Sequence, residues 1–141
     1  QRHADLFLDT WPVNAHTTAS DALWAGLPLV TMQGGAFAAR VAASLLQAVG
    51  LPQCVTSDLA AYEALARSLA SQPDRVAQLR ADLASERETA PLFGTRRFAR
   101  HFEQALQRMH DRRLAGFEPA GFDVADQGQQ RGTAARTADP R

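Results

Sequence analysis

Lysine is absent from this chain of 141 residues, and all fifteen basic residues are arginine. Together with the heavy use of alanine, this looks like the bias of a GC-rich genome rather than a device for holding phosphate. Fifteen acidic residues balance the arginines, so the formal net charge is zero. No bulk attraction to nucleic acid or to an anionic membrane is therefore expected. The single cysteine, Cys54, excludes an internal disulfide and a cysteine-based zinc cluster. It fits a reducing compartment, and a cytoplasmic location is the expectation. No apolar run approaches the roughly eighteen residues that a membrane-spanning helix requires. The chain also lacks an initiator methionine and a signal-peptide pattern. It opens on Gln1-Arg2-His3, a few residues before a strand of buried type. A parallel sheet with so few strands would be poorly covered, so the expectation is the C-terminal part of a longer protein.

What is present is a chain long enough for one small domain with its own core, at 45% hydrophobic residues, the usual share for a globular protein. Its organising stretch runs from Leu8 to Thr31. Leu6-Phe7-Leu8, within a strand over residues 4–9, is an apolar run without polar alternation, which suits a strand covered on both faces. A turn-rich loop with Pro12, Asn14 and His16 follows. Thr17 to Ala25 reads as a helix stopped by Gly26 and Pro28, and Leu29-Val30-Thr31 as the next strand. Strand, loop, helix, strand is the unit of a parallel α/β sheet. A helix start rich in hydroxyls offers free N–H groups and a positive dipole end to an anion. In open α/β sheets the ligand crevice lies past the carboxyl ends of the strands, where this loop belongs.

Farther along, Gly34-Gly35 sits in a loop that allows a tight turn or close approach. Phe37 to Val49 is predicted helical, with Val41, Ser44 and Leu45, beside Ala38, Ala42 and Ala48, on its apolar face. Leu51-Pro52 and Cys54-Val55 read as a short third strand or an extended segment. Ser57 is the expected cap of a helix over 58–69 carrying Leu59, Tyr62, Leu65, Ala66 and Leu69. Pro73 opens a helix through Glu86 with Val76, Leu79 and Leu83 as its stripe. After a break at residues 90–94, Thr95 is the expected cap of a last helix over 96–114, with Phe98, Phe102, Ala105, Leu106 and Met109 on one side. Residues 125–141 are polar, poor in bulky apolar residues and expected to be disordered. The chain has no internal repeat.

Several runs together resemble a known family. Asp5-Leu6-Phe7-Leu8-Asp9-Thr10, Asn14-Ala15-His16-Thr17-Thr18, Asp21-Ala22-Leu23-Trp24-Ala25-Gly26 and Arg40-Val41-Ala42-Ala43-Ser44 are similar to the C-terminal catalytic region of O-linked N-acetylglucosamine transferases. That family includes the plant SPINDLY-type enzymes and bacterial homologues with tetratricopeptide repeats. Tyr62-Glu63, Pro91-Leu92-Phe93 and the region of Met109 extend the resemblance to about residues 4–124. It implies an α/β fold, the C-terminal portion of the second Rossmann-like lobe of a GT-B glycosyltransferase with closing helices, over residues 1–124. It implies transfer of N-acetylglucosamine from UDP-N-acetylglucosamine to protein serine or threonine, with inversion and without a metal or other cofactor. Plant SPINDLY-type members are similar but use GDP-fucose. The implied partners are the nucleotide-sugar donor, the acceptor protein, and the N-terminal lobe and tetratricopeptide repeats of the same protein, with neither nucleic acid nor membrane.

Residue by residue, the resemblance makes His16, Thr17 and Thr18 the diphosphate-binding motif and gives Asp21 the ribose hydroxyls. The plainer alternative is that Thr17 or Thr18 caps the helix, with Thr18 and Asp21 forming a capping box. Asp9 and Asn14 read as turn-shaping residues, and Trp24 as core packing. Where the family commonly has Gly-Glu followed by threonine, this chain has Gly34-Gly35-Ala36, so a carboxylate and a hydroxyl are missing beside the expected site. Arg40 either holds the loop, faces the cleft or makes a surface salt bridge. His3, His101 and His110 form no metal or acid–base pattern, and Cys54 reads as a small buried hydrophobe. The arginines of the last helix read as a solvated face or as contacts to the other lobe. The acid–base residues and a phosphate-clamping lysine are expected upstream, so this chain alone is expected to lack transferase activity. Two other readings stay open: a degenerate lobe serving as a protein-interaction module, and a GT-B transferase with another nucleotide sugar.

Overall fold

A computed structural model describes residues 3–125, and the expected disorder of the tail lies outside the described residues from 126 on. The elements are β1 (Phe7–Leu8), α1 (Thr17–Trp24), β2 (Leu29–Met32), α2 (Val41–Ala48), β3 (Val55–Thr56), α3 (Leu59–Ala70), α4 (Pro73–Glu86) and α5 (Thr95–Leu114). Short 3₁₀ turns occupy Phe37–Ala39, Pro52–Cys54 and Pro91–Phe93. The chain divides into two compact units, one up to Gly94 and one from Thr95.

In the first unit the strands form a parallel sheet in the order β1-β2-β3. Phe7 lies opposite Leu29, and Thr31 opposite Val55. The α/β class expected from the strand–helix alternation is the class observed. All four residues of β2 are buried, as a central parallel strand requires. The same expectation fails for β1: Leu8 is 54% exposed, and Leu6 and Phe7 are only half-buried. The reason is position, since β1 is an edge strand and a run of apolar residues does not say which strand lies at the edge.

Glycine stops two of the crossover helices. Gly26 and Gly50 both have φ +78, a left-handed conformation that a Cβ disfavours. Around each, paired backbone bonds close the helix end: Gly26 N–H to Leu23 O with Leu27 N–H to Ala22 O, and Gly50 N–H to Gln47 O with Leu51 N–H to Leu46 O. The chain thereby turns Leu27 and Leu51 directly into the core.

The predicted long helix from Phe37 is broken at Arg40, and its buried face is Ala42, Ala43 and Leu46, not Val41, Ser44 and Leu45. The break has a cause outside the helix. The Ala38 and Ala39 carbonyls accept from Asn14 N–H and Gly34 N–H, so they are withdrawn from helical bonding. The third strand is also shorter than expected, because Pro52 starts a turn and leaves only Val55–Thr56 to pair. Asp58, not Ser57, caps α3: its carboxylate accepts from Ala61 N–H at 2.8 Å, and Leu59 is exposed. The α4 stripe is as expected, with Val76, Leu79 and Leu83 buried in one cluster with Leu23, Leu29, Val30, Leu46, Leu51 and Leu69.

Cys54 belongs to that cluster. Burial pushes its thiol up to about 11, against a smaller lowering by Arg75. Burial, and then the Asp9 carboxylate, raise the Tyr62 phenol as well. Both acids ionise more readily unfolded than folded. Their neutral forms therefore support the fold fully below the unfolded Cys value of 9.0, and this support is lost as pH rises toward about 11. The expected result is no labelling of folded chain by a thiol reagent at pH 8, rapid labelling in urea, and a urea midpoint that falls between pH 9 and 11. Fast labelling of the folded chain would contradict the burial.

In the second unit, Thr95 is the first helical residue of α5 instead of its cap. Phe98, Phe102, Leu106 and Met109 lie exposed along the helix, with the Phe98 and Phe102 rings stacked at 5.9 Å. Two of the arginines read as a solvated face or as contacts to the other lobe also hold the following segment. Arg108 sits over the Phe122 ring at 4.5 Å and donates to Asp123 O at 3.0 Å. Arg112 packs over the Phe117 ring and donates to Glu118 O.

Candidate functional site

The loop from β1 to α1 is built around one carboxylate. Asp9, 7% exposed, directly follows β1. Its Oδ1 accepts from Thr10 N–H at 2.9 Å and Ala15 N–H at 2.7 Å, and its Oδ2 from the Thr31 hydroxyl at 2.6 Å. Its carbonyl accepts from the Tyr62 hydroxyl at 2.8 Å, across 53 positions of sequence. Asp9 therefore binds loop, central strand and α3 together, the shaping role expected of it extended to a tertiary clamp. Asn14 also shapes the loop: its Nδ2 donates to Thr10 O at 3.1 Å, and the Thr10 hydroxyl donates to Val13 O. Asn14 Oδ1 is buried without a hydrogen-bond partner. The Trp11–Pro12 peptide in this loop is cis.

This framework presents the start of α1. His16 holds the cap position at φ −102, ψ −85, with no side-chain hydrogen bond to the helix and no acidic residue in the first turn. Thr18 lies inside the helix, so it is not the cap and the capping-box alternative is not realised. His16, Thr17, Thr18 and Asp21 are all exposed. Thr17 and Thr18 stand four and three residues before Asp21, which brings the three onto one face of the first turns. The helix start thus offers donors at its tip and a carboxylate one turn along.

The connection after β2 is bonded to the β1–α1 loop, Asn14 N–H donating to Ala38 O at 2.9 Å. A Cβ on Gly34 would lie 2.7 Å from the Ala39 Cβ, so only glycine fits there, whereas a Cβ on Gly35 would meet nothing within 4 Å. The missing carboxylate at Gly35 therefore reflects no lack of room. Gln33, Gly34, Gly35, Val55, Thr56, Ser57 and Ala61 line an opening of about 710 Å³ at the carboxyl ends of β2 and β3, and His16, Thr17, Thr18 and Asp21 are not among its lining residues. Arg40 is exposed and makes no salt bridge among the described residues. Trp24 is not core: it is 54% exposed, edge-on to Phe93 at 5.0 Å with Arg87 over its ring at 5.4 Å. Among the described residues no three His, Cys, Asp or Glu side chains gather as a metal site would need, and no helix is long and apolar enough to cross a membrane.

Comparison with known proteins bears on this arrangement. Residues 1–102 match glycosyl transferase family 41. The chain belongs to that family. Among family 41 relatives, the probable UDP-N-acetylglucosamine–peptide N-acetylglucosaminyltransferase SEC of Arabidopsis thaliana is 38% identical over 124 residues, 87% of this chain and 13% of the plant protein. The UDP-N-acetylglucosamine–peptide N-acetylglucosaminyltransferase of Caenorhabditis elegans is 37% identical over 80% of this chain and 10% of its own length. A point variant of the O-GlcNAc transferase of Thermobaculum terrenum superposes with a TM-score of 0.68 at 32% identity, over 74% of this chain and 20% of that one. The chain thus spans between a tenth and a fifth of the length of these three proteins. Neither Tyr62 as the anchor of Asp9 nor Thr31 as its partner was singled out from sequence. In the sequence Tyr62 stands out as one member of a helical stripe and in the Tyr62-Glu63 pair of the resemblance, neither of which points to Asp9.

Proposed function

We propose that this chain is the donor-binding part of a protein O-glycosyltransferase of GT-B architecture, transferring N-acetylglucosamine from UDP-N-acetylglucosamine to serine or threonine. The observation that carries this reading is the exposed start of α1, which has no side-chain cap and presents His16, Thr17, Thr18 and Asp21 together at the end of the β1–α1 loop. During transfer the bond between the anomeric carbon and the β-phosphate oxygen breaks, and the acceptor hydroxyl oxygen bonds to that carbon and loses its proton. Negative charge grows on the departing diphosphate. Backbone N–H groups at the tip of α1, the Thr17 and Thr18 hydroxyls and a His16 ring N–H oppose it without reorganising. Asp21 accepts from the ribose hydroxyls. In this reading no metal is needed, because dipole and donors neutralise the diphosphate. The base that takes the acceptor proton, the first lobe and the helical repeats belong to other parts of the polypeptide, which acts in the cytoplasm. The names of the relatives support donor and acceptor class.

A second reading, a lobe that has lost catalysis and serves as an interaction module, is favoured by the glycine and alanine at positions 35 and 36. Titration of the labelled chain with UDP and with inorganic pyrophosphate, followed by amide chemical shifts, separates the two. Binding in the millimolar range is expected, with shifts confined to the amides of residues 16–21. His16→Ala is expected to weaken both ligands by about three- to tenfold, as loss of one phosphate hydrogen bond would. Asp21→Ala is expected to weaken UDP alone, since pyrophosphate has no ribose. Unchanged affinity in both variants, or shifts elsewhere, would remove the site assignment.

A further inference from the structure

Phe37 is 74% exposed, the most solvent-open aromatic ring of the first unit, yet it is held where it stands. Its 3₁₀ turn is pinned to the β1–α1 loop by Asn14 N–H to Ala38 O at 2.9 Å, and closed on its own loop by Gly34 N–H to Ala39 O at 2.8 Å. Gly34 lets this loop fold back on Ala39 to a distance that no Cβ tolerates. The ring meets one ring of the candidate site, His16, edge to face at 6.1 Å between centroids and 88° between planes. A large apolar side chain left in water contributes little burial to the fold, so its rigid placement against one imidazole calls for another explanation.

We infer that Phe37 is a positioning residue for His16: its ring holds the imidazole in the orientation from which a ring N–H meets the donor's diphosphate. The inference rests on the reading of His16 as a diphosphate contact. His16 caps α1 through its backbone alone, with no hydrogen bond from its side chain to the helix, so an unrestrained imidazole would have to be ordered at the moment of binding. Ordering a side chain lowers affinity, and an aromatic neighbour that orders it in advance removes that loss. Phe37 touches no phosphate in this scheme and acts only through the histidine.

The test is a double-mutant cycle on the whole chain, read by UDP titration and by nuclear Overhauser contacts between the two rings. Ring-to-ring contacts are expected in the free wild-type chain. Phe37→Ala is expected to weaken UDP by about three- to tenfold, with its unfolding midpoint unchanged because the side chain is exposed. Phe37→Tyr, which keeps the ring, is expected to retain wild-type affinity. In the His16→Ala background, Phe37→Ala is expected to add no further loss. Weakening by His16→Ala but not by Phe37→Ala would overturn this inference and leave the diphosphate site standing. Equal losses from Phe37→Ala in both backgrounds would overturn it too, since the ring would then act without the histidine. No effect of either variant would overturn the site and the inference together.

Discussion

Asp9→Ala is expected to lower the stability of the chain by about 3–5 kcal/mol, because it strips a buried carboxylate that accepts three hydrogen bonds and leaves their donors unpaired. The Ala15 N–H and the Thr31 hydroxyl are the costly ones. Both lie inside the first unit, and both point at oxygens of the same side chain. Asp9→Asn separates charge from shape. The amide keeps one acceptor oxygen but sets an NH₂ group against a donor, so an intermediate loss is expected. Thr31→Val removes one bond and leaves Oδ2 without its partner, for about 1–3 kcal/mol. Urea unfolding measures all three as shifts in midpoint at constant slope. A change in Asp9→Ala below about 0.5 kcal/mol, the scale of an ordinary surface substitution, would show that the loop is held by its turns and not by this clamp. The consequence for function is direct. Asp9 fixes Ala15, and Ala15 precedes the residue that opens α1, so the same variant should blur the amide pattern of residues 16–18 in the absence of ligand.

Leu46→Ala is expected to cost about 2–5 kcal/mol, the usual range for a buried leucine that leaves a cavity. The comparison that gives this value meaning is with Leu45→Ala, one position earlier. Leu46 is fully buried in the cluster against the sheet, while Leu45 is only packed at its margin. A loss of about 1 kcal/mol or less is expected for Leu45, whose side chain keeps contact with water on either side of folding. Spacing alone favoured Leu45 as the inner residue. Equal costs at the two positions, or a larger cost at 45, would mean that α2 sits in the phase expected of an unbroken helix from Phe37. The experiment therefore reads the break at Arg40 through stability.

What the sequence by itself determined was local. Gly26 with Pro28, Gly50 and Pro73 marked where helices stop or begin, the alternation of strand and helix implied a parallel α/β sheet, and the stripe of Val76, Leu79 and Leu83 named the buried face of α4. The order of the motifs pointed to the family. These features depend on neighbours within a turn or two, and near-neighbour spacing is written in the chain. Tertiary structure decided the rest: that β1 is an edge among the described strands with Leu8 open, that the Ala38 carbonyl bonds to another loop and so breaks the helix before α2, that Trp24 lies on the surface under Arg87, and that the Tyr62 hydroxyl finds Asp9. Each of those outcomes is a choice of partner many residues away. Such a choice is made by competition among whole surfaces for burial and among all donors for the few buried acceptors, and no window of adjacent residues contains it.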